Sequence, residues 1–310
     1  MPALIAHHIF GEDILSELPQ GLVEGEEELL AFLLGNQGPD PLFARFSTLP
    51  SRAATCHALA HEIQSGHMTR SLLALRDGVA HLPRSDERVG RAFALGVLGH
   101  YAFDRAAHPF VIAQQRALCD VEPTLAGLER EVHAVIESDL DTWILWEKRR
   151  ATICERPAAT NLMRTARTER VAGALLSQVA LAVFDTVIDP REYVAAVRDY
   201  EFVYRMIEPA GTLRARAAAL AERALRGTAL ATASSHYVRL TDECPAANLE
   251  RRAWTHPFTG EVRTDSAADL FDEARLAYPA LAEAFVRGNE ARLRKLVGGL
   301  DFSGRPAADD

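Results

Sequence analysis

The chain lacks the signatures of several common enzyme and secretory classes. Its four cysteines, Cys56, Cys119, Cys154 and Cys244, lie far apart with no C-x-x-C pair, which argues against thiolate metal sites and predicts free thiols in a reducing compartment. No apolar run reaches bilayer-spanning length, and the opening stretch MPALIAHHIFGEDIL has no basic n-region, so a cytoplasmic protein without a transmembrane segment is expected. There is no G-x-S-x-G elbow, Gly-rich phosphate loop, dinucleotide fingerprint or His-Asp dipeptide, which disfavours serine hydrolases, nucleotide-loop enzymes and HD-type phosphohydrolases. Net charge is −9, unsuited to general affinity for nucleic-acid backbone or anionic membrane. No stable nucleic-acid partner is expected.

What remains is a globular composition, 48% hydrophobic and 25% charged over 310 residues, with no low-complexity tract. Strand signals are scarce, with short extended pieces expected only near 236–240 and 260–263. Helical periodicity covers 4–18, 26–34, 52–77, 87–108, 125–150, 170–188, 190–207, 213–226 and 265–297. The expected fold is therefore an all-α, multi-helical single domain over 1–310, with a first part to residue 150, a helical remainder, and a long loop at 241–264 in which Trp254 and Phe258 suggest packing.

The stretch from Gly90 to Phe110 organises the chain. Within it His100, Asp104 and His108 recur every four residues, and each such step rotates a helical side chain by only about 40°, so the three share one stripe. Their neighbours are Ala, Val, Leu, Phe and Gly, so the stripe points into an apolar interior where unpaired imidazoles and carboxylates are costly. A metal ion or an internal polar network must satisfy them. Gly96 and Gly99 in the same helix suggest the close approach of another backbone or a ligand.

Nine of eleven histidines precede position 134, and histidines combined with Asp and Glu, without thiolates, suit zinc or another borderline metal engaged in chemistry. Several such residues imply more than one ion. His133 and Glu137 form a further i,i+4 pair on an amphipathic helix. His57 and His61 have zincin spacing, but Ala58 stands where the catalytic Glu would be, so a metallopeptidase is disfavoured. Asp40 lies between Pro39 and Pro41 in the rigid turn Gly35 to Pro41, which predicts an extended conformation that fixes its carboxylate.

Taken in order, Ala6-His7-His8-Ile9-Phe10-Gly11, then Gly35-Asn36-Gln37-Gly38-Pro39-Asp40-Pro41, then Leu98 to Asp104 with His108-Pro109, then His133-x-x-x-Glu137 resembles the zinc-dependent phospholipase C family. The resemblance is closest to its cytoplasmic bacterial branch. The segment Asn248 to Pro257 followed by Ser266 to Ala274 is similar to the same branch. That superfamily is all-helical and includes single-strand-specific zinc nucleases.

The resemblance implies one zinc held by Asp40, a histidine from the 57–67 region, His100 and Asp104, and a second held by His108, His133 and Glu137. His61 is preferred for the undecided ligand, with His57 next. Secreted members complete a third site with a mature amino-terminal amine and a nearby histidine; this chain has Met1-Pro2 and His7, so two ions are expected, with His7 at a neighbouring ion or behind its ligands, and a third ion on the Pro2 amine is the alternative. The implied reaction is phosphoester hydrolysis by metal-activated water with Asp40 as general base, on a lipid headgroup or a soluble ester. A single-strand nuclease or nucleotidase is the alternative enzyme, and a non-catalytic metal-binding scaffold the alternative class.

Overall fold

The computed structural model describes residues 4–307 and is all-α, with twelve α-helices and one short hairpin among those residues. The helices are α1 (Leu4–Ile14), α2 (Glu26–Gly35), α3 (Pro50–Ser65), α4 (Met68–His81), α5 (Glu87–Val121), α6 (Glu129–Arg149), α7 (Ala166–Phe184), α8 (Pro190–Ile207), α9 (Leu213–Arg226), α10 (Leu230–Ala233), α11 (Ala267–Val286) and α12 (Glu290–Val297). Among the described residues, no helix is long and apolar enough to cross a membrane.

The chain divides into two compact units, each drawn from three separated stretches. One comprises Met1–Ala6, Ala107–Asn161 and Glu201–Phe271; the other comprises His7–Ala106, Leu162–Tyr200 and Asp272–Asp310. Residues 1–150 and 151–310 therefore each contribute to both units.

In the second of these units α2 crosses α5 at glycine. A Cβ on Gly35 would lie 2.2 Å from the Phe93 carbonyl oxygen, and one on Gly96 would lie 2.1 Å from that of Phe32. Only glycine permits backbones this close, so the approach anticipated from Gly96 is made by α2. Buried Phe32, Phe93, Leu95 and Leu98 fill the surroundings, and the Tyr278 hydroxyl donates to the Leu95 carbonyl at 3.0 Å. The turn that follows α2 is thereby delivered against α5.

In the other unit the carboxy-terminal part of α5 is accompanied by α6. Residues 241–264 carry a 3-10 turn, Pro245–Ala247, and the hairpin β1 (Trp254–Thr255) and β2 (Val262–Arg263), paired Trp254 to Arg263. Trp254 meets Phe110 edge-on at 5.3 Å, so this loop is packed. No strand forms at 236–240.

Several helix boundaries differ from those read by periodicity. The span 52–77 is two helices, because Gly66 and His67, the latter at φ 54°, interrupt it. The span 265–297 likewise breaks at Gly288, φ 64°, before the Asn289 cap of α12. Conversely, α5 runs through Pro109 to Val121. Proline removes one amide donor, yet buried Phe110 and Val111 continue the packing on its far side. Asp40 is the first residue of a 3-10 turn, Asp40–Ala44, not extended; its N–H bonds to the Gln37 carbonyl at 3.2 Å, and buried Pro41 and Leu42 outweigh the local bias.

Candidate metal centres

The first centre belongs to one unit. Helix α1 supplies His7, α5 supplies His100 and Asp104, and the turn after α2 supplies Asp40. The His7 Nε2 atom lies 3.0 Å from Asp104 Oδ1, while His100 Nε2 lies 3.2 Å from Asp104 Oδ2 and 3.6 Å from Asp40 Oδ2. The two imidazoles stack at 4.0 Å. His100 and Asp40 are fully buried, and His7 and Asp104 nearly so. Gly38, at φ +52°, makes room for the cluster, since a Cβ there would sit 2.5 Å from His100 Cδ2. Its carbonyl accepts from the Tyr193 hydroxyl at 3.1 Å.

The protonation of His100 follows from its partner. Its Nδ1 lies 3.0 Å from the Asn36 carbonyl, which can only accept, so Nδ1 carries a proton and the neutral ring presents a lone pair at Nε2. Among the described residues that buried Nε2 makes no hydrogen bond, and it faces two carboxylates. A lone pair aimed at anions is repulsive, and either a second ring proton or a cation relieves it. Without a cation, burial works against protonation, but Asp104 and Asp40 outweigh it and bring the His100 pKa up to about 9. With a cation, Nε2 is a ligand, and the Nδ1 contact to Asn36 is the outer hydrogen bond that orients a metal-binding imidazole.

The second centre belongs to the other unit. His108 Nε2 and His133 Nε2 converge on a single atom, Glu137 Oε1, at 3.3 and 3.2 Å, with the rings stacked at 5.5 Å. His133 Nδ1 lies 2.9 Å from Gln115 Oε1, an acceptor that turns the Nε2 lone pair toward the carboxylate. Burial would raise the Glu137 pKa, but His133 and His108 hold the carboxyl well below its usual range. Unlike the first centre, this one reaches solvent, with the His108 and His133 side chains 16% and 17% exposed.

Within each centre, two imidazole nitrogens and a carboxylate oxygen lie within 4.8 Å of one another, a donor set that fits zinc or another borderline divalent ion. His7, His100 and Asp104 form one such group, and His108, His133 and Glu137 the other. Neither His57 nor His61 joins a convergent group among the described residues. His57 Nε2 lies 2.9 Å from the Arg45 carbonyl, and His61 is exposed at the edge of Phe43. His7 stands where the sequence reading preferred His61, and α3 contributes Gln64, whose amide donates to Asp40 Oδ1 at 2.8 Å.

Gln64, Gln115 and the Asn36 carbonyl were not legible beforehand, because amides and backbone carry no metal-ligand signature. Another feature missed is a fully buried network around His236. Its Nε2 lies 3.1 Å from Asp141 Oδ2, and its Nδ1 is hydrogen-bonded to Glu208 Oε1. Burial opposes charging this ring, but the two carboxylates bring its pKa up to about 9. A signal existed, since Asp141 continues the four-residue rhythm of His133 and Glu137 along α6.

Tyr101 and Phe103, the aromatics nearest the first centre in sequence, are core residues. The Tyr101 hydroxyl donates to the Leu300 carbonyl at 2.9 Å, and Phe103 stacks on Phe10 at 4.8 Å. Neither offers an exposed face on which a nucleobase could stack. No family model, curated protein or solved structure shows significant similarity to this chain.

Proposed function

We propose that the chain is a zinc-dependent phosphoesterase, phospholipase C-like in its chemistry, acting in the cytoplasm on a phosphodiester, lipid headgroup or soluble. The observation that carries this reading is the gathering of seven residues, singled out from four separate stretches of sequence, into two places. His7, His100 and Asp104 with Asp40 beside them would hold one ion, and His108, His133 and Glu137 a second. A bound divalent ion supplies activation of water and charge stabilisation at phosphoryl oxygens.

The remaining roles fall to the chain itself. Gln64 occupies Asp40 Oδ1 and leaves Oδ2 turned toward His100, so Oδ2 is the oxygen that would take the proton of a water activated at the first centre. Asn36 and Gln115 hold His100 and His133 in the tautomer that presents Nε2. His108 and His133 leave the second centre open to solvent, so an ion held there would be within reach of a phosphoester oxygen.

The complete burial of His100 and Asp40 favours a second reading, in which the first ion is purely structural, since closed sites are typical of structural metals. One experiment separates the two. Metal content of protein purified without added metal is measured alongside hydrolysis of bis(p-nitrophenyl) phosphate before and after chelation, in wild type and Asp40→Asn. A phosphoesterase shows chelator-sensitive, zinc-restored hydrolysis, and Asp40→Asn lowers turnover by about 10²-fold or more with fold and metal retained. Bound zinc with no hydrolysis in any protein supports the scaffold. Absence of bound metal would return both clusters to the role of buried polar networks.

A further inference from the structure

Two carboxylates and a tyrosine of α8 end on the stretch of chain that carries Asp40. Before Asp40, the Tyr193 hydroxyl donates to the Gly38 carbonyl at 3.1 Å. After it, Asp199 Oδ2 accepts the N–H groups of Phe46 and Ser47, each at 2.9 Å, while Oδ1 accepts from the Ser47 hydroxyl. Asp199 Oδ2 also lies 2.6 Å from Arg45 Nη1, and Arg45 Nε reaches Glu192 Oε2 at 2.8 Å. All of these residues belong to the unit that holds the first centre.

Glu192 and Asp199 are two turns apart on α8, so only about 20° separates them around the helix and one guanidinium spans both. Arg45 and Asp199 are buried. Burial would raise the Asp199 pKa, but Ser47, the Phe46 amide and Arg45 hold the carboxyl below its ordinary value, so it stays an anion. A buried ionic cluster of this kind is weak evidence for net stability, so the question is what it specifies. Here it anchors backbone. Gly38 is tied to α8 on one side of Asp40 and residues 45–47 on the other, so the short turn between them is fixed at both ends. Helix α3 adds to the same hold. His57 Nε2 donates to the Arg45 carbonyl, an atom that can only accept, and Gln64 donates to Asp40 Oδ1. Held in this way, Asp40 keeps Oδ2 turned to His100 Nε2 at 3.6 Å.

We propose that Tyr193 and Asp199 are the positioning residues for Asp40, setting its carboxylate at the first centre before metal binds. The proposal rests on the metal-centre reading above. The test is competition for zinc between a chromophoric chelator and the full-length chain, as wild type, His7→Ala, Asp40→Asn, Tyr193→Phe, Asp199→Asn, and each of the last two combined with Asp40→Asn. Wild type should bind in two affinity classes, and His7→Ala identifies the class of the first centre. Asp40→Asn should weaken that class and still let it fill. Tyr193→Phe and Asp199→Asn should each weaken it about tenfold, as loss of an outer partner does. Both should leave the other class unchanged and add little to Asp40→Asn. A merely structural residue would weaken both classes, or add its full effect in the double variants.

Where Asp199→Asn does not fold, Tyr193→Phe, which removes one hydroxyl and keeps the ring, carries the test with the same expected pattern. Two classes with the first unchanged by these variants, or weakened additively with Asp40→Asn, overturn this proposal and leave the metal reading standing. A wild-type chain that binds no zinc overturns both.

Discussion

Gly38→Ala tests the geometry of the first centre most directly. The residue sits at φ +52°, where a side chain costs about 1 to 2 kcal/mol. The new Cβ would lie 2.5, 2.8 and 2.9 Å from Cδ2, Cγ and Nε2 of His100, whereas ordinary carbon contacts begin near ~3.5 Å, so the ring must retreat by about 1 Å. It has little room to do so. The ring is fully buried, stacked on His7 at 4.0 Å, 5.4 Å from the Phe302 ring and 3.0 Å from the Asn36 carbonyl. Overpacking of that kind costs about 1 to 3 kcal/mol, which brings the total to roughly 2 to 5 kcal/mol.

For 310 residues the unfolding entropy is roughly 0.65 kcal/mol/K, so the melting temperature should fall by about 3 to 8 °C. Because metal-ligand distances tolerate only ~0.2 Å, zinc affinity at the first centre should be lost while the second is spared. Two controls separate the terms. Gly127, at φ +84° with nothing within 4 Å of a Cβ, carries the backbone term alone, and Gly127→Ala should cost about 1 to 2 kcal/mol. Gly66, at φ 177° and also open, carries neither, so Gly66→Ala should not destabilise. Thermal melts and zinc competition on the three variants are the assay. If Gly38→Ala melts no lower than Gly127→Ala and keeps both classes of zinc, the packing argument is wrong.

Gln64→Leu removes the 2.8 Å amide donor to buried Asp40; it should cost about 1 to 3 kcal/mol in denaturant titration and weaken zinc at the first centre about tenfold. No effect on either would show that Asp40 is oriented by something else. His236 makes the metal-free chain sensitive to alkali. Its pKa in the folded chain, about 9, lies above the unfolded value of about 6.5. The stability it contributes is therefore complete below about 6.5 and is lost as pH rises through about 9, roughly 3 kcal/mol over that window. Denaturant titrations in chelator at the two ends should show this fall together with one of similar size from His100, whose pKa without a cation is also about 9. His236→Gln should therefore remove about half of the total; an unchanged slope in that variant would place the sensitivity elsewhere.

Much of the second centre was legible because its parts are local. His133 and Glu137 are one turn apart on α6, so helical periodicity alone puts them on a common face. The first centre was legible only in half. His100 and Asp104 follow from spacing, but the choice among His7, His57 and His61 depended on which helix packs against that face of α5, and no spacing encodes it. Residue type alone also hid Gln64 and Gln115, which act by orientation and ligate nothing.

The sequence by itself determined the all-α class, the polar stripe on α5 and the need for a close backbone approach at Gly96, because each follows from periodicity or from the side-chain volume of a few neighbouring residues. Only the tertiary structure decided how that stripe is shared. His100 and Asp104 join His7, while His108 joins His133 and Glu137, although all three α5 residues are equivalent by spacing. Periodicity specifies the face a side chain occupies; the partner it meets there is set by contacts between residues far apart in the chain, such as the crossing of Gly35 and Gly96 that delivers the Asp40 turn to His100.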